Sequence, residues 1–164
     1  MYTISSIGQD SHRFCSGDEG GSAHKPLVLG GVVFDGCPPL MGNSDADVVL
    51  HALCNAVSGI TGVNIIGAVA DQMCFAEGVT NSAEYVKKAM ESLGGRKIIH
   101  VSFTLECARP TISPRIEEMR ERIAKHIGIS ERNVCITATS GEGLTDFGRG
   151  LGIQAYCVLT AMCV

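Results

Sequence analysis

The segment KIIHVSFTLEC, residues 97–107, restricts the fold more than any other. Ile99, Val101, Phe103 and Leu105 fall on one side of an extended chain, and His100, Ser102, Thr104 and Glu106 on the other. Neighbouring side chains of a strand point to opposite faces, so this alternation predicts a strand buried on one face only. A sheet that contains it has one face against the core and one turned away. Further strands are predicted from Tyr2 to Gly8, over NVCITAT (133–139) and over IQAYCVLTAMCV (153–164). LVLGGVVF (27–34) predicts a short hairpin turning at Gly30-Gly31.

Three helices are predicted to cover the sheet. SDADVVLHALCNAVSGI (44–60) begins with a potential capping Ser44, and Asp47 stands three residues on, as in a capping box. Val49, Leu53, Ala56, Val57 and Ile60 make its apolar stripe, with His51 off that stripe. A second helix runs from Asn81 to Leu93 and stops at Gly94-Gly95. A third opens at Ser113-Pro114, carries Ile116, Met119, Ile123 and Ile127 as its stripe, and ends at Gly128. Residues 15–26, DGCPPLMGN and 140–152 read as loops. The expected architecture is α+β: one mixed β-sheet with helices packed on one face, plus a short β-hairpin. At 164 residues, with no internal repeat or linker, the chain is expected to form one domain over 1–164.

Composition excludes several function classes. Net charge is −4 and no basic run exists, which argues against a nucleic-acid surface. The charge of an anionic ligand must then be met locally, by metal ions or backbone N–H groups. Ala52 to Ala70 carries no charge, but Asn55, Ser58, Thr61, Asn64 and three glycines interrupt it. A buried helix followed by a turn is expected there, not a membrane span. No signal-peptide pattern is visible, so a bacterial-type, cytoplasmic protein is expected. The eight Cys show no Cys-x-x-Cys spacing and are read as small hydrophobes in a reducing compartment.

Three constellations can carry chemistry. Asp10 and His12 are two apart at the end of the first strand, so both side chains point to the same side. With His51 they would supply one carboxylate and two imidazoles, leaving an open position on tetrahedral zinc. The same three residues also fit a capping Asp, a surface His and a helix His packed beside polar neighbours. TATSGEGLTDFGRG delivers Thr139, Ser140, Gly141 and Glu142 into a Gly-rich loop, where hydroxyls and N–H groups can meet phosphate and Glu142 can meet Mg²⁺ or Mn²⁺. CARPTIS (107–113) joins a strand to a proline-started helix and offers backbone groups to a planar base. Each of these two loops also fits a plain connection.

The pieces occur together and in one order. Asp-x-His, NSDADVVLHAL, ARP, TATSGE and GRGLG resemble the 2-C-methyl-D-erythritol 2,4-cyclodiphosphate synthase family over nearly the whole chain. The most specific stretch is Ser44, Asp45, Asp47, Val48, His51 and Ala52. The resemblance implies a homotrimer with active sites at subunit interfaces. It implies release of CMP from 4-diphosphocytidyl-2-C-methyl-D-erythritol 2-phosphate and formation of a cyclic diphosphate, in the non-mevalonate route to isoprenoids. Zinc is then held by Asp10, His12 and His51, and a second divalent ion, Mg²⁺ or Mn²⁺, by Glu142. Asn43 and Ser140 take the catalytic positions. The cytidine pocket maps to Cys107, Ala108, Arg109, Pro110, Thr111, Ile112 and Ser113 with Thr139 to Glu142. Ser44, Gly67 and Asp71, with Asp10, His12 and Asn43, map to contacts with the rest of the substrate. Arg149 faces a central cavity that can take an isoprenoid diphosphate.

Departures from the family pattern accompany the match. Asn43 stands where the family has His, and Ser140 where it has Thr. IIG (65–67) replaces Asp-Ile-Gly, with Asn64 as the nearest polar substitute. Thr111 replaces a Lys or Arg, with Arg109 now before Pro110, and Leu151 replaces a Glu. Two other readings follow from the same residues: a zinc-dependent phosphoester hydrolase, and a non-catalytic trimeric module that binds isoprenoid or nucleotide.

Overall fold

The computed structural model describes residues 1–17 and 25–164; most of the loop predicted over 15–26 lies outside them. In chain order the elements are β1 (Tyr2–Arg13), β2 (Leu27–Leu29), β3 (Val32–Phe34), α1 (Val48–Thr61), α2 (Ala68–Glu77), α3 (Ser82–Glu91), β4 (Lys97–Glu106), α4 (Ile116–Ile127), β5 (Val134–Thr139) and β6 (Gly152–Cys163). The main sheet has the order β1-β6-β4-β5. β6 pairs antiparallel with both β1 and β4, while β4 and β5 are parallel and joined through α4. β2 and β3 form a separate hairpin. The architecture is α+β with a mixed sheet, as expected.

The predicted alternation is present along β4, with one shift. Val101, Phe103 and Leu105 are buried, and a bulge between Ile98 and His100 puts Ile98 inward in place of Ile99. On β6, Ile153, Ala155, Cys157, Leu159 and Ala161 are buried, whereas Tyr156 and Val158 are exposed. α1 packs on β1 and β6, α4 lies against β5, and α3 packs on α1. Leu50 and Leu53 of α1, Met119 and Ile123 of α4, and Phe103 of β4 are buried in one core. Burying each such side chain contributes roughly 1.5–3 kcal/mol.

Strand β1 and helix α1 approach closely because small residues meet there. A Cβ placed on Gly8 would lie 2.1 Å from the Ala52 carbonyl oxygen and 2.3 Å from the Ala56 nitrogen. One on Gly59 would lie 2.9 Å from the Ser6 Cβ. The Ser6 hydroxyl donates to the Ala56 carbonyl at 2.5 Å, pinning strand to helix. Five of the eight cysteines (15, 54, 107, 157 and 163) are buried, in keeping with their reading as small hydrophobes.

Three boundaries differ from the sequence reading. β1 continues past Gly8 to Arg13, because pairing with β6 extends to Arg13 opposite Gly152. α1 starts at Val48, not near Ser44, and Asp47 is its N-cap in place of a capping-box residue. The cause is Ala46, whose φ of 56° breaks the helical path; the Ser44 hydroxyl only accepts from the Ala46 N–H. The Asp47 carboxylate accepts from Val49 and Leu50 of the helix and from Gly30 and Gly31 of the hairpin turn. It therefore fastens α1 to β2–β3. Finally, α2 occupies a region read only as a turn. Its N-cap Gly67 makes no side-chain cap and it buries only Ala70, so it lacks the stripe by which helices are recognised.

Candidate active site

The outward course of β1 and the close approach of α1 bring Asp10, His12 and His51 together. Both β1 side chains lie on the face turned to α1, as their spacing predicts. Their ligand atoms lie within 4.8 Å of one another. The Asp10 Oδ2 is 3.0 Å from His12 Nε2 and 3.0 Å from His51 Nδ1. The outer nitrogen of each ring is also engaged. His12 Nδ1 lies 2.6 Å from the Met41 carbonyl, and His51 Nε2 lies 2.8 Å from the Ser82 hydroxyl. A carbonyl only accepts, so His12 Nδ1 carries a proton and Nε2 faces Asp10.

Burial pushes the Asp10 carboxyl up, but hydrogen bonds and charge from His12 and His51 outweigh it and hold it at about 2. For His12, burial lowers the pKa and the Asp10 carboxylate raises it, with a net upward shift. The donor set suits a divalent ion: one hard carboxylate oxygen and two imidazole nitrogens, each turned inward by a partner on its far side.

The triad opens on a cavity of about 300 Å³. Asn43, Ser44, Gly67 and Asp71 also line it, so seven predicted site residues share one wall. Asn64 is exposed and outside that lining, and Ile65 is buried in the core. The Cys74 thiol donates to the Asn43 carbonyl at 3.2 Å, and Lys25 donates to the carbonyls of Gly42 and Ser44 on either side. The strap that carries Asn43 is thereby held at three consecutive carbonyls. Sequence reasoning missed Ile66, Ala70 and Cys74 in this wall because α2 was not recognised, and Tyr85 because it reaches the wall from α3, across the fold. Burial and the neighbouring Cys74 push the Tyr85 hydroxyl up to about 12, and it donates to the Val79 carbonyl.

A second cavity, of about 180 Å³, is lined by Cys107, Ala108, Pro110, Thr111, Ile112, Ser113, Thr139 and Ser140. The two predicted segments thus form one pocket, where the parallel strands β4 and β5 end side by side. Arg109 is turned away, its guanidinium 5.2 Å above the Phe14 ring. Ser140 and Glu142 sit in the turn that follows β5, where the Ser140 hydroxyl accepts from the Glu142 N–H. Glu142 is exposed and outside the Asp10 group. Arg149 pairs with Asp146 at 2.8 Å and donates to the Gly143 and Leu144 carbonyls, within its own loop.

Fold and site together define a class: an α+β protein carrying a candidate two-histidine, one-carboxylate metal site where a strand meets a helix. The chain belongs to the YgbB family, whose model matches residues 4–162. It is 51% identical over 157 residues to the 2-C-methyl-D-erythritol 2,4-cyclodiphosphate synthase of Chlamydia muridarum, covering 95% of this chain and 86% of that one. The enzyme of the same name from Chlamydia felis is 48% identical, with 95% and 87% covered. Among solved structures, the bifunctional IspDF of Campylobacter jejuni superimposes with a TM-score of 0.85 at 25% identity. That match covers 98% of this chain, which spans 42% of the bifunctional one. The synthase of Plasmodium vivax matches with a TM-score of 0.81 at 24% identity, covering 99% of each chain, and bears on the fold alone. No helix among the described residues is long and apolar enough to cross a membrane.

Proposed function

We propose that this chain converts 4-diphosphocytidyl-2-C-methyl-D-erythritol 2-phosphate to 2-C-methyl-D-erythritol 2,4-cyclodiphosphate with release of CMP. It thereby acts in non-mevalonate isoprenoid synthesis as a lyase, with residues 1–164 as one synthase domain. The observation that carries this reading is the convergence of Asp10, His12 and His51 on a cavity that also presents Asn43 and Ser44. The half-identical bacterial relatives of that name support it, and with it a cytoplasmic setting.

In the reaction an oxygen of the 2-phosphate forms a bond to the β-phosphorus. The bond from that phosphorus to the bridging oxygen breaks, and CMP leaves with that oxygen. Asp10, His12 and His51 would hold Zn²⁺, and Glu142 would hold Mg²⁺ or Mn²⁺ on the diphosphate. Bound divalent cations supply the positive charge that lets one anionic phosphate approach another. Asn43 donates its amide N–H to a phosphate oxygen from the cavity wall, and the Ser140 hydroxyl does the same from the turn after β5. Cys107–Ser113 and Thr139–Glu142 take the cytidine end, and Ser44, Gly67 and Asp71 the erythritol end. No protein nucleophile is needed; the residues hold two groups of one flexible molecule in line, which is where ring closure gains most.

Among the described residues, the two cavities share no lining residue within one protomer. A homotrimer with interfacial sites would join the metal pocket of one subunit to the nucleotide pocket of the next. The sheet face turned away from the helices, with Ile7, Tyr156 and Val158 exposed, suits burial in such an assembly. Its central cavity is the place for an isoprenoid diphosphate, near Arg149 and Leu151.

The test is to supply substrate with Mg²⁺ and follow CMP by chromatography and the second product by phosphorus NMR. A cyclic diphosphate that disappears on chelation is the expected result. A linear phosphate would instead identify a hydrolase, and substrate recovered intact a binding module.

A further inference from the structure

We propose that Asp45 and Ser82 are positioning residues of the metal site, a hydrogen-bonded relay that fixes which nitrogen of His51 faces Asp10 and His12. The inference rests on the assignment of a metal to Asp10, His12 and His51.

The argument follows the protons. Ser82 is the first residue of α3, and its N–H donates to Asp45 Oδ2 at 3.0 Å. Its hydroxyl donates to Asp45 Oδ1. A carboxylate has no proton to give, so the single hydroxyl proton of Ser82 is committed to Asp45. Toward His51 Nε2, at 2.8 Å, the Ser82 oxygen can therefore only accept. Nε2 must carry a proton, and the lone pair of neutral His51 is left on Nδ1, the nitrogen 3.0 Å from Asp10. His12 is oriented in the opposite sense by the Met41 carbonyl on its Nδ1. The two imidazoles thus present different nitrogens to one point.

The relay is shielded and rigid. Ser82 is fully buried and His51 nearly so, so water does not compete for these bonds. Asp45 is itself held: its N–H donates to the Thr80 carbonyl, and its Oδ1 accepts from the Asp47 N–H. Ala46, at φ 56°, lets Asp45 serve α3 while Asp47 caps α1 two residues later. The strained turn thereby coordinates the starts of two helices around His51. Partners of metal-bound histidines of this kind raise metal affinity by roughly 10- to 100-fold.

The test measures zinc affinity by competition with a chromophoric chelator, for wild type, Ser82→Ala, Asp45→Asn and the double variant. All are read at a temperature where circular dichroism shows the variants folded. Asp45→Asn keeps the side-chain volume, so it serves if Ser82→Ala does not fold. The expected result is a roughly 10- to 100-fold rise in Kd for each single variant, and no further rise in the double. The Co²⁺-loaded single variants should show a shifted visible absorption band. Wild-type affinity in both single variants, or losses that simply add in the double, overturns the relay while leaving the metal site standing. A wild-type protein that binds no divalent ion overturns the metal assignment and the relay together.

Discussion

Gly8 sets the separation of β1 from α1, and through it the geometry of the site. Consider Gly8→Ala. The added Cβ would sit 2.1 Å from the Ala52 carbonyl oxygen, 2.3 Å from the Ala56 nitrogen and 2.9 Å from the Asn55 carbonyl carbon. All three are helix backbone atoms, which cannot rotate aside as a side chain can. Reaching ordinary contact requires strand and helix to part by about 1 Å. Overpacking commonly costs about 1–3 kcal/mol, and with backbone on the far side the upper end, ~3 kcal/mol, is expected. Asp10 lies two residues beyond Gly8, and His51 immediately precedes Ala52. The 3.0 Å contact between them must therefore lengthen along with the backbone. Metal sites tolerate errors of about 0.2 Å, so zinc affinity should fall by more than tenfold. Urea denaturation of the metal-free protein reads the first effect, and chelator competition the second. A loss below about 1 kcal/mol with unchanged affinity would show that β1 and α1 yield without cost, and would refute the reasoning.

Three further outcomes are expected. The folded-state pKa of Asp10, about 2, lies below its ordinary 3.8. Its contribution to stability is therefore complete above pH 3.8 and is lost as pH falls from 3.8 toward 2; metal-free protein should lose roughly 2 kcal/mol across that window, and Asp10→Asn should lack the step in acid titrations of stability. Asn43→His replaces a neutral donor with one that can carry charge, and charge-assisted bonds are about twice as strong; CMP release should rise by on the order of tenfold, and an unchanged rate rejects Asn43 as a weaker substitute. Asp47→Ala strips the cap from α1 and the acceptor from Gly30 and Gly31; a loss of about 2–4 kcal/mol is expected in thermal melts, and a shift of under 1 kcal/mol would show that water replaces the carboxylate.

Much of this was legible in the sequence, for definite reasons. The period of two in 97–107 fixed which side of β4 is buried, and the i, i+2 spacing put Asp10 and His12 on one side of β1. Both are local rules that need no knowledge of the rest of the chain. The meeting of His51 with that pair is not local. It depends on Gly8, Ala52 and Ala56 allowing two backbones to touch, which small residues permit but do not announce. The late start of α1 was missed because Ala46 adopts a left-handed conformation without being Gly, Asn or Asp. α2 was missed because it shows a single buried residue to the core. Ser82 and the Met41 carbonyl were invisible as partners because they act across the fold, through one hydroxyl and one peptide group.

Charge explains why the site is built this way. A substrate with a diphosphate and a further phosphate is strongly anionic, and this chain carries a net −4. Neither cavity has a Lys or Arg among its described lining residues. Lys25, half-buried beside the first cavity, commits two of its three N–H groups to the Gly42 and Ser44 carbonyls. Arg109 rests on Phe14, and Arg149 is paired with Asp146. Thr111 stands where a cation would be expected from the family pattern. Among the described residues, then, no Lys or Arg of this protomer lines the cavities where the reacting phosphates are proposed to sit. The divalent ions proposed at the Asp10 group and at Glu142 would then carry that neutralisation, together with backbone and neutral side-chain donors. With no Lys or Arg among the described lining residues, the site depends the more on those ions, and so on the hydrogen bonds that orient His12 and His51.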